Sequence, residues 1–358
     1  MRHLPSLLFA VALAACHSQS QKAVPDATAS EDGFLSTPTL DAERVGKVLP
    51  LRGSEDASQL LRYSPPPAPA PDTAAGYYAH ARFDWTLPVQ LARPVGQHQL
   101  RQVLDRSILS ALDAPSVYGR SARTGRWTYA QAGTGADSLF TALALSWKLY
   151  DGRAATPRVY SAAALQGYQR MVAALAPKLA ARVGLPALPA AQAAKRSVAL
   201  HNFVEATNQP VVIVLQAAKV FEGRAVWDAL LSVGLRWGDE DCFHWNNPAP
   251  GVSGDYLFDV ATSTEPGYFL PEQVAAGRLN PADLVFSFSI PRTAAPEQVL
   301  ASMHRAATYC QRRLGGRLLD GRGQPLDLAA EQQKCRAVAA QLRTQQLQPG
   351  VGDALYLF

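Results

Sequence analysis

Residues 237–269 read WGDEDCFHWNNPAPGVSGDYLFDVATSTEPGYF. Two strand-like runs, Asp239–Trp245 and Tyr256–Ala261, are joined by a link rich in Asn, Pro and Gly, and the stretch closes on a Glu-Pro-Gly turn. Upstream, Val211–Leu215 is an unbroken apolar, mostly β-branched run, and Arg224–Val233 has helical spacing closed by Gly234 as a C-cap. Downstream, Phe286, Phe288 and Ile290 alternate with Ser287 and Ser289 within Asp283–Ile290, the pattern of a half-buried antiparallel strand. Pro296–Leu314 is an amphipathic helix stopped by Gly315-Gly316. Arg317–Leu319 then reads as a short strand and Asp327–Leu342 as a last helix with Asp327 at its N-cap. This order predicts an α+β domain over 210–345, an antiparallel sheet with helices on one face.

The preceding part repeats the order in weaker form. Arg82–Leu91 is strand-like and Gln97–Leu112 helical. Arg126–Ala130 and Ser138–Leu149 are aromatic strands, and Pro157–Leu185 and Pro189–Phe203 read as helices. Elements in corresponding positions lie about 120–140 residues apart, which points to two tandem copies, the first (76–207) diverged. Two α+β domains that share an order by coincidence are the alternative.

The second copy resembles the ZipA C-terminal, FtsZ-binding domain family. Gly234, Trp237, Gly238, Asp239, the Phe243-His244 pair, Ser253-Gly254, Leu257-Phe258, Glu265-Pro266-Gly267-Tyr268-Phe269, Gly315-Gly316 and Leu319-Asp320 occur in the family's order with small gaps. The resemblance implies an open sheet face with a shallow apolar groove that receives a protein tail. At the groove positions this chain carries Glu240, Cys242, Ser263, Glu265 and, depending on a one-residue choice of register, Phe286 or Ser287. Val211 and Ile213 are the apolar remnants if the first strand keeps the family register. Burying an unpaired polar group costs about 1–3 kcal/mol, and micromolar binding is worth about 8 kcal/mol in all. Two or three such groups would therefore remove a micromolar apolar ligand.

Composition agrees with a binding module. The 358 residues are 48% hydrophobic and 18% charged, with a net charge of +5, enough for two medium cores. The basic residues form no dense block with interleaved aromatics, which excludes a nucleic-acid partner. Leu7–Ala15 is a charge-free run after Arg2 and His3. It is too short to span a bilayer and fits the core of a secretory signal over 1–15. Leu13-Ala14-Ala15-Cys16 resembles a lipoprotein cleavage site, which would put a lipid on Cys16 and the mature chain in the periplasm, with His17 favouring the outer membrane. A plain signal and an uncleaved anchor, with the domain facing the cytoplasm, are the alternatives. Residues 16–75, with PDATASEDG (25–33) and SPPPAPAPD (64–72), read as a disordered Pro-rich tether, and 346–358 as a tail.

No catalytic or cofactor signature occurs. Asp239, Asp241 and His244 read as a structural turn and not as metal ligands, because in a strand His244 would face away from the two aspartates. Cys310 and Cys335 lie on the last two helices and would pair if the chain is exported, closing a loop worth about 3 kcal/mol. Two buried free thiols are the alternative, and Cys242 stays free. His304, Arg305, Arg312, Arg313 and Arg317 form a basic flank, read as solvated or as facing anionic lipid. The partner expected is thus a protein or peptide, with the FtsZ tail, an envelope component or a toxin met by an immunity lipoprotein as the candidates.

Overall fold

The computed structural model describes residues 45–50, 53–67, 78–131, 139–152, 158–249 and 251–358. Cys16 and the expected signal segment lie outside the described residues. Among the described residues no helix is long and apolar enough to cross a membrane.

The first half runs β1 (Asp84–Gly96), α1 (Gln97–Val103), α2 (Arg106–Ala111), β2 (Ser116–Ser121), β3 (Trp127–Tyr129), β4 (Leu139–Lys148), α3 (Ala162–Leu175), β5 (Ala181–Val183) and α4 (Ala190–Thr207). Its antiparallel sheet has the order β3-β2-β4-β1-β5. Alternation decides its inner face: Trp85, Leu87 and Val89 oppose Trp147, Leu145 and Leu143 across β1 and β4, and all six are buried in one core with Leu165 and Val172 of α3. Both indoles satisfy their N–H groups, Trp85 donating to the Leu188 carbonyl at 2.8 Å and Trp147 to that of Leu112 at 2.7 Å. The helix expected over Gln97–Leu112 is two, because Asp105 leaves helical geometry and caps α2 by accepting from the Ile108 N–H at 2.9 Å. The strands β2 and β5 are additions to the sequence reading.

The second half runs β6 (Pro210–Gln216), α5 (Gly223–Ser232), β7 (Arg236–Trp237), β8 (Phe243–Asn246), β9 (Tyr256–Ala261), α6 (Pro271–Ala275), β10 (Asp283–Ser289), α7 (Pro296–Leu314), β11 (Arg317–Asp320), α8 (Leu328–Thr344) and α9 (Asp353–Leu357). Its antiparallel sheet has the order β11-β6-β10-β9-β8-β7. The helix α7 packs on β6, and the main core between helices and sheet gathers Val211, Ile213, Leu215, Trp227, Leu230, Phe258, Phe286, Met303 and Ala307.

The two halves share their wiring. In each, the opening strand (β1, β6) lies between the strand before the long helix (β4, β10) and the strand after it (β5, β11), and a further helix follows (α4, α8). This supports tandem copies of one α+β fold, the first diverged at β2 and β3.

Two segments depart from the sequence reading. Part of the region read as a disordered tether is a strap laid over α5 and α7. Leu49 and Ala57, both apolar, enter the main core. Backbone and side chains then follow: Ala57 N–H donates to the Ser232 carbonyl at 2.8 Å, Ser54 bonds Asp228, and Ser302 Oγ both donates to the Arg62 carbonyl and accepts its N–H. Gly234, at φ +92°, ends α5 directly beneath it, and a Cβ there would lie 2.9 Å from the Ser58 Cβ. Two residues of the basic flank grip this strap: Arg305 donates to the Leu60 carbonyl at 2.7 Å, and Arg313 to Ser54 at 3.0 Å and to Asp228 of α5 at 2.6 Å, while Arg312 and Arg317 remain exposed. The expected tail, in turn, contains the docked helix α9.

Candidate functional site

The candidate face is the side of the second sheet opposite α7, and the register of β6 and β10 decides which residues stand on it. Phe286 pairs with Ile213 and Phe288 with Val211, so these four share the core side, and all are buried in the main core. The groove positions expected at Val211, Ile213 and Phe286 are therefore corrected. The amphipathic α7 needs the larger side chains beneath it, and the adjacent residues turn outward instead.

Two rows cross the outer face. One runs Leu319, Val214, Val285, Ala261 along β11-β6-β10-β9. The next runs Val212, Ser287, Asp259, His244, Arg236 along β6-β10-β9-β8-β7. Val212, Val214, Val285 and Leu319 form an apolar cluster separate from the main core and make the floor, although each is itself only 1–6% exposed. The rest of the second row is polar, so the face is apolar at its β11-β6 end and charged toward β7.

His244 organises the charged end. Its Nδ1 lies 2.6 Å from Asp259 Oδ1 and its Nε2 2.7 Å from the Asp239 carbonyl. An ionised Asp259 and a backbone carbonyl both accept, so the geometry favours the doubly protonated ring, an imidazolium with both nitrogens donating. Burial opposes that charge, yet the Asp259 hydrogen bond and charge together with the Asp239 carbonyl outweigh it and raise the pKa. The Tyr256 ring stacks on His244 at 4.0 Å and its hydroxyl donates to Asp239 Oδ2 at 2.7 Å.

The histidine thereby holds a strained turn. Asp239–Asp241 is a single 3₁₀ turn and not the start of a strand. Glu240 at φ 58° and Asp241 at φ 55° occupy the left-handed region, at roughly 1–2 kcal/mol each. The Asp239 bond to His244 and the Phe269 N–H bond to the Asp241 carbonyl at 2.8 Å keep it in place. Glu240 sits here with its pKa raised, first by burial and then by the charges of Asp259 and Asp239. His244 is thus on the same side as the Asp239 carbonyl, contrary to the strand-based expectation. Among the described residues no group of three or more His, Cys, Asp or Glu side chains is arranged to hold a metal.

The remaining expected positions scatter. Cys242 is fully buried behind the turn. Ser263 and Glu265 are exposed in the loop after β9, where Ser263 bonds Asp283 through its N–H and hydroxyl. Cys310 and Cys335 are buried free thiols and not a disulfide, each pushed up to about 12 chiefly by burial. The outward valines are hidden in the sequence because Val211–Leu215 is apolar at every position, which conceals its parity. The serine alternation of β10 did carry the signal, since it places Ser287 outward.

Comparison with known proteins agrees with this fold. Residues 210–337 match the family described as "ZipA, C-terminal FtsZ-binding domain". A cell division protein ZipA of Azotobacter vinelandii (strain DJ) is 28% identical over 110 residues, covering 31% of this chain and 38% of the relative. That of Ectopseudomonas mendocina (strain ymp) is 32% identical over 100 residues, covering 28% and 36%. That of Shewanella frigidimarina (strain NCIMB 400) is 28% identical over 147 residues, covering 41% of each. The chain thus spans from 36% to 41% of the length of these curated relatives. Over residues 210–337, this chain is similar to the ZipA C-terminal FtsZ-binding domain family.

Proposed function

We propose that this chain is a non-enzymatic, lipid-anchored protein-binding module that offers the outer face of its second sheet to a polypeptide. The single observation that carries the reading is the match of 210–337 to a protein-binding domain. The outer face refines the partner. Its floor of Val212, Val214, Val285 and Leu319 is apolar, though only 1–6% exposed, and at its rim Glu240, whose pKa is raised by burial and by the nearby Asp259 and Asp239, suits a positive charge. A wholly apolar tail laid over Glu240 would deepen a desolvation that already raises that carboxyl. The lipid on Cys16 and a periplasmic orientation belong to the same reading and rest on the Leu13–Cys16 cleavage motif.

The family match favours a second reading, a division factor that binds the FtsZ tail from the cytoplasmic side. Protease access to the second domain in spheroplasts, with lipid labelling of the wild type and Cys16→Ala, separates the two. The first reading expects cleavage from outside and label lost in the variant. A protected, unlabelled domain that captures an FtsZ tail peptide establishes the second instead.

A further inference from the structure

The first sheet also has an outer face, and the chain itself already occupies one end of it. Asp84 and Lys148 are partners across β1 and β4. By alternation they stand on the side opposite Trp85 and Trp147, together with Thr86, Ser146 and Tyr118. This is the same side, relative to the long helix, as the candidate face of the second copy. Onto Asp84 and Lys148 comes Tyr356 of α9. Its hydroxyl donates to the Asp84 carboxylate, 2.8 Å from either oxygen, and Lys148 Nζ lies 4.5 Å from its ring centroid. The His80 ring stacks on Tyr356 at 4.7 Å and on Phe83 at 4.6 Å. The start of α9 is read as well: the Asp353 carboxylate bonds His80 Nε2 at 2.8 Å and the Arg82 guanidinium.

We propose that the outer face of the first copy is a peptide-binding face whose ligand is the chain's own C-terminal segment, Asp353–Phe358, bound in cis. A helix of five residues has no stability of its own in water, so α9 exists because it is seated. The recognition has the parts of a ligand site: an anchoring tyrosine, a buried carboxylate acceptor and a complementary charge pair at the segment's first residue. Asp84 is 6% exposed, so its carboxylate depends on the partners that Tyr356 and the His80 N–H provide. The other face of α9 lies against the second half, where Leu357 joins the main core and Gly350 is anchored by its N–H to the Pro291 carbonyl at 2.8 Å. Tethering so close to the site raises the local concentration to the millimolar range, so a weak intrinsic affinity keeps the face filled. The first copy then offers this end of its face to outside partners only when α9 is displaced.

Hydrogen exchange on the full chain tests the proposal. Tyr356→Phe and Asp84→Asn are each expected to speed exchange in 353–358 by about tenfold or more, the effect of losing one charge-assisted hydrogen bond, with the β1–β4 ladder unchanged. Equal acceleration throughout the ladder, or none in the segment, overturns it. In a second measurement, the chain ending at Gly352 is titrated with the peptide Asp-Ala-Leu-Tyr-Leu-Phe. Saturable binding that weakens when the tyrosine is replaced by phenylalanine supports the proposal. A folded truncated chain that ignores the peptide overturns it, and if truncation prevents folding the exchange result decides.

Discussion

At the scale of single residues, His244 links charge to fold. A doubly donating imidazolium between Asp259 and the Asp239 carbonyl stabilises the Asp239–Asp241 turn only while it is protonated. Its folded pKa is raised above the unfolded value near 6.5. The stabilisation is therefore fully present below that unfolded value and is lost as pH rises through the higher folded one. Urea unfolding should accordingly show the wild type losing stability through this group as pH rises above the unfolded value near 6.5. His244→Gln carries its donors on a single nitrogen and reaches one of the two acceptors, so it should cost about 1–3 kcal/mol at pH 6 and flatten that part of the profile. An unchanged profile in the variant would show that the ring is neutral in the fold. Glu240 works in the opposite sense at neutral pH, since its raised pKa makes its ionised form a cost of the fold. A partner that brings a positive charge to the rim would relieve that cost.

At the scale of elements, α7 and α8 put two cysteines, Cys310 and Cys335, into the main core as free thiols. Burial pushes both to about 12, so neither offers a thiolate near neutrality. In the native protein Cys242, Cys310 and Cys335 should react with a thiol reagent only at the rate of unfolding, and a reductant should leave the melting temperature unchanged. Prompt modification, or a fall in melting temperature on reduction, would contradict this packing. The same elements show what the sequence made legible. Pro296–Leu314 and Tyr256–Ala261 are legible at their observed bounds, because a helix stopped by Gly315-Gly316 and a strand bounded by Asp255 and Thr262 carry local signals. The face of β6 was not legible, since Val-Val-Ile-Val-Leu is apolar on both sides and only its pairing with β10 separates Ile213 from Val212 and Val214. The short β5 escaped notice because three residues have no period, and the 3₁₀ turn at Asp239 because its support comes from His244 and Phe269 and not from its own residues.

At the scale of the whole molecule, composition misplaced the ends. A boundary set by periodicity begins at Gly76 and stops at Gln345, because 16–75 is rich in proline and 346–358 is short. Yet Leu49, Ala57 and Leu357 are buried in the same core as Trp227 and Phe286, and polar contacts fix both flanks. The strap closes over α5 and α7 through Ser54, Arg62, Asp228, Ser302 and Arg313, while α9 joins the two halves through Asp84 and Asp353. These contacts are isolated from one another in sequence by more than 170 residues in the strap, for example between Ser54 and Asp228, so no local pattern announces them. Burying a large aliphatic side chain is worth about 1.5–3 kcal/mol, and both flanks together contribute several such groups. A chain of residues 76–345 should therefore melt on the order of 10 °C below one of residues 45–358, with the greater loss of exchange protection in α5 and α7, where the strap lies. If the shorter chain melts within about 2 °C of the longer one, the strap and α9 are passengers on a core that is complete without them.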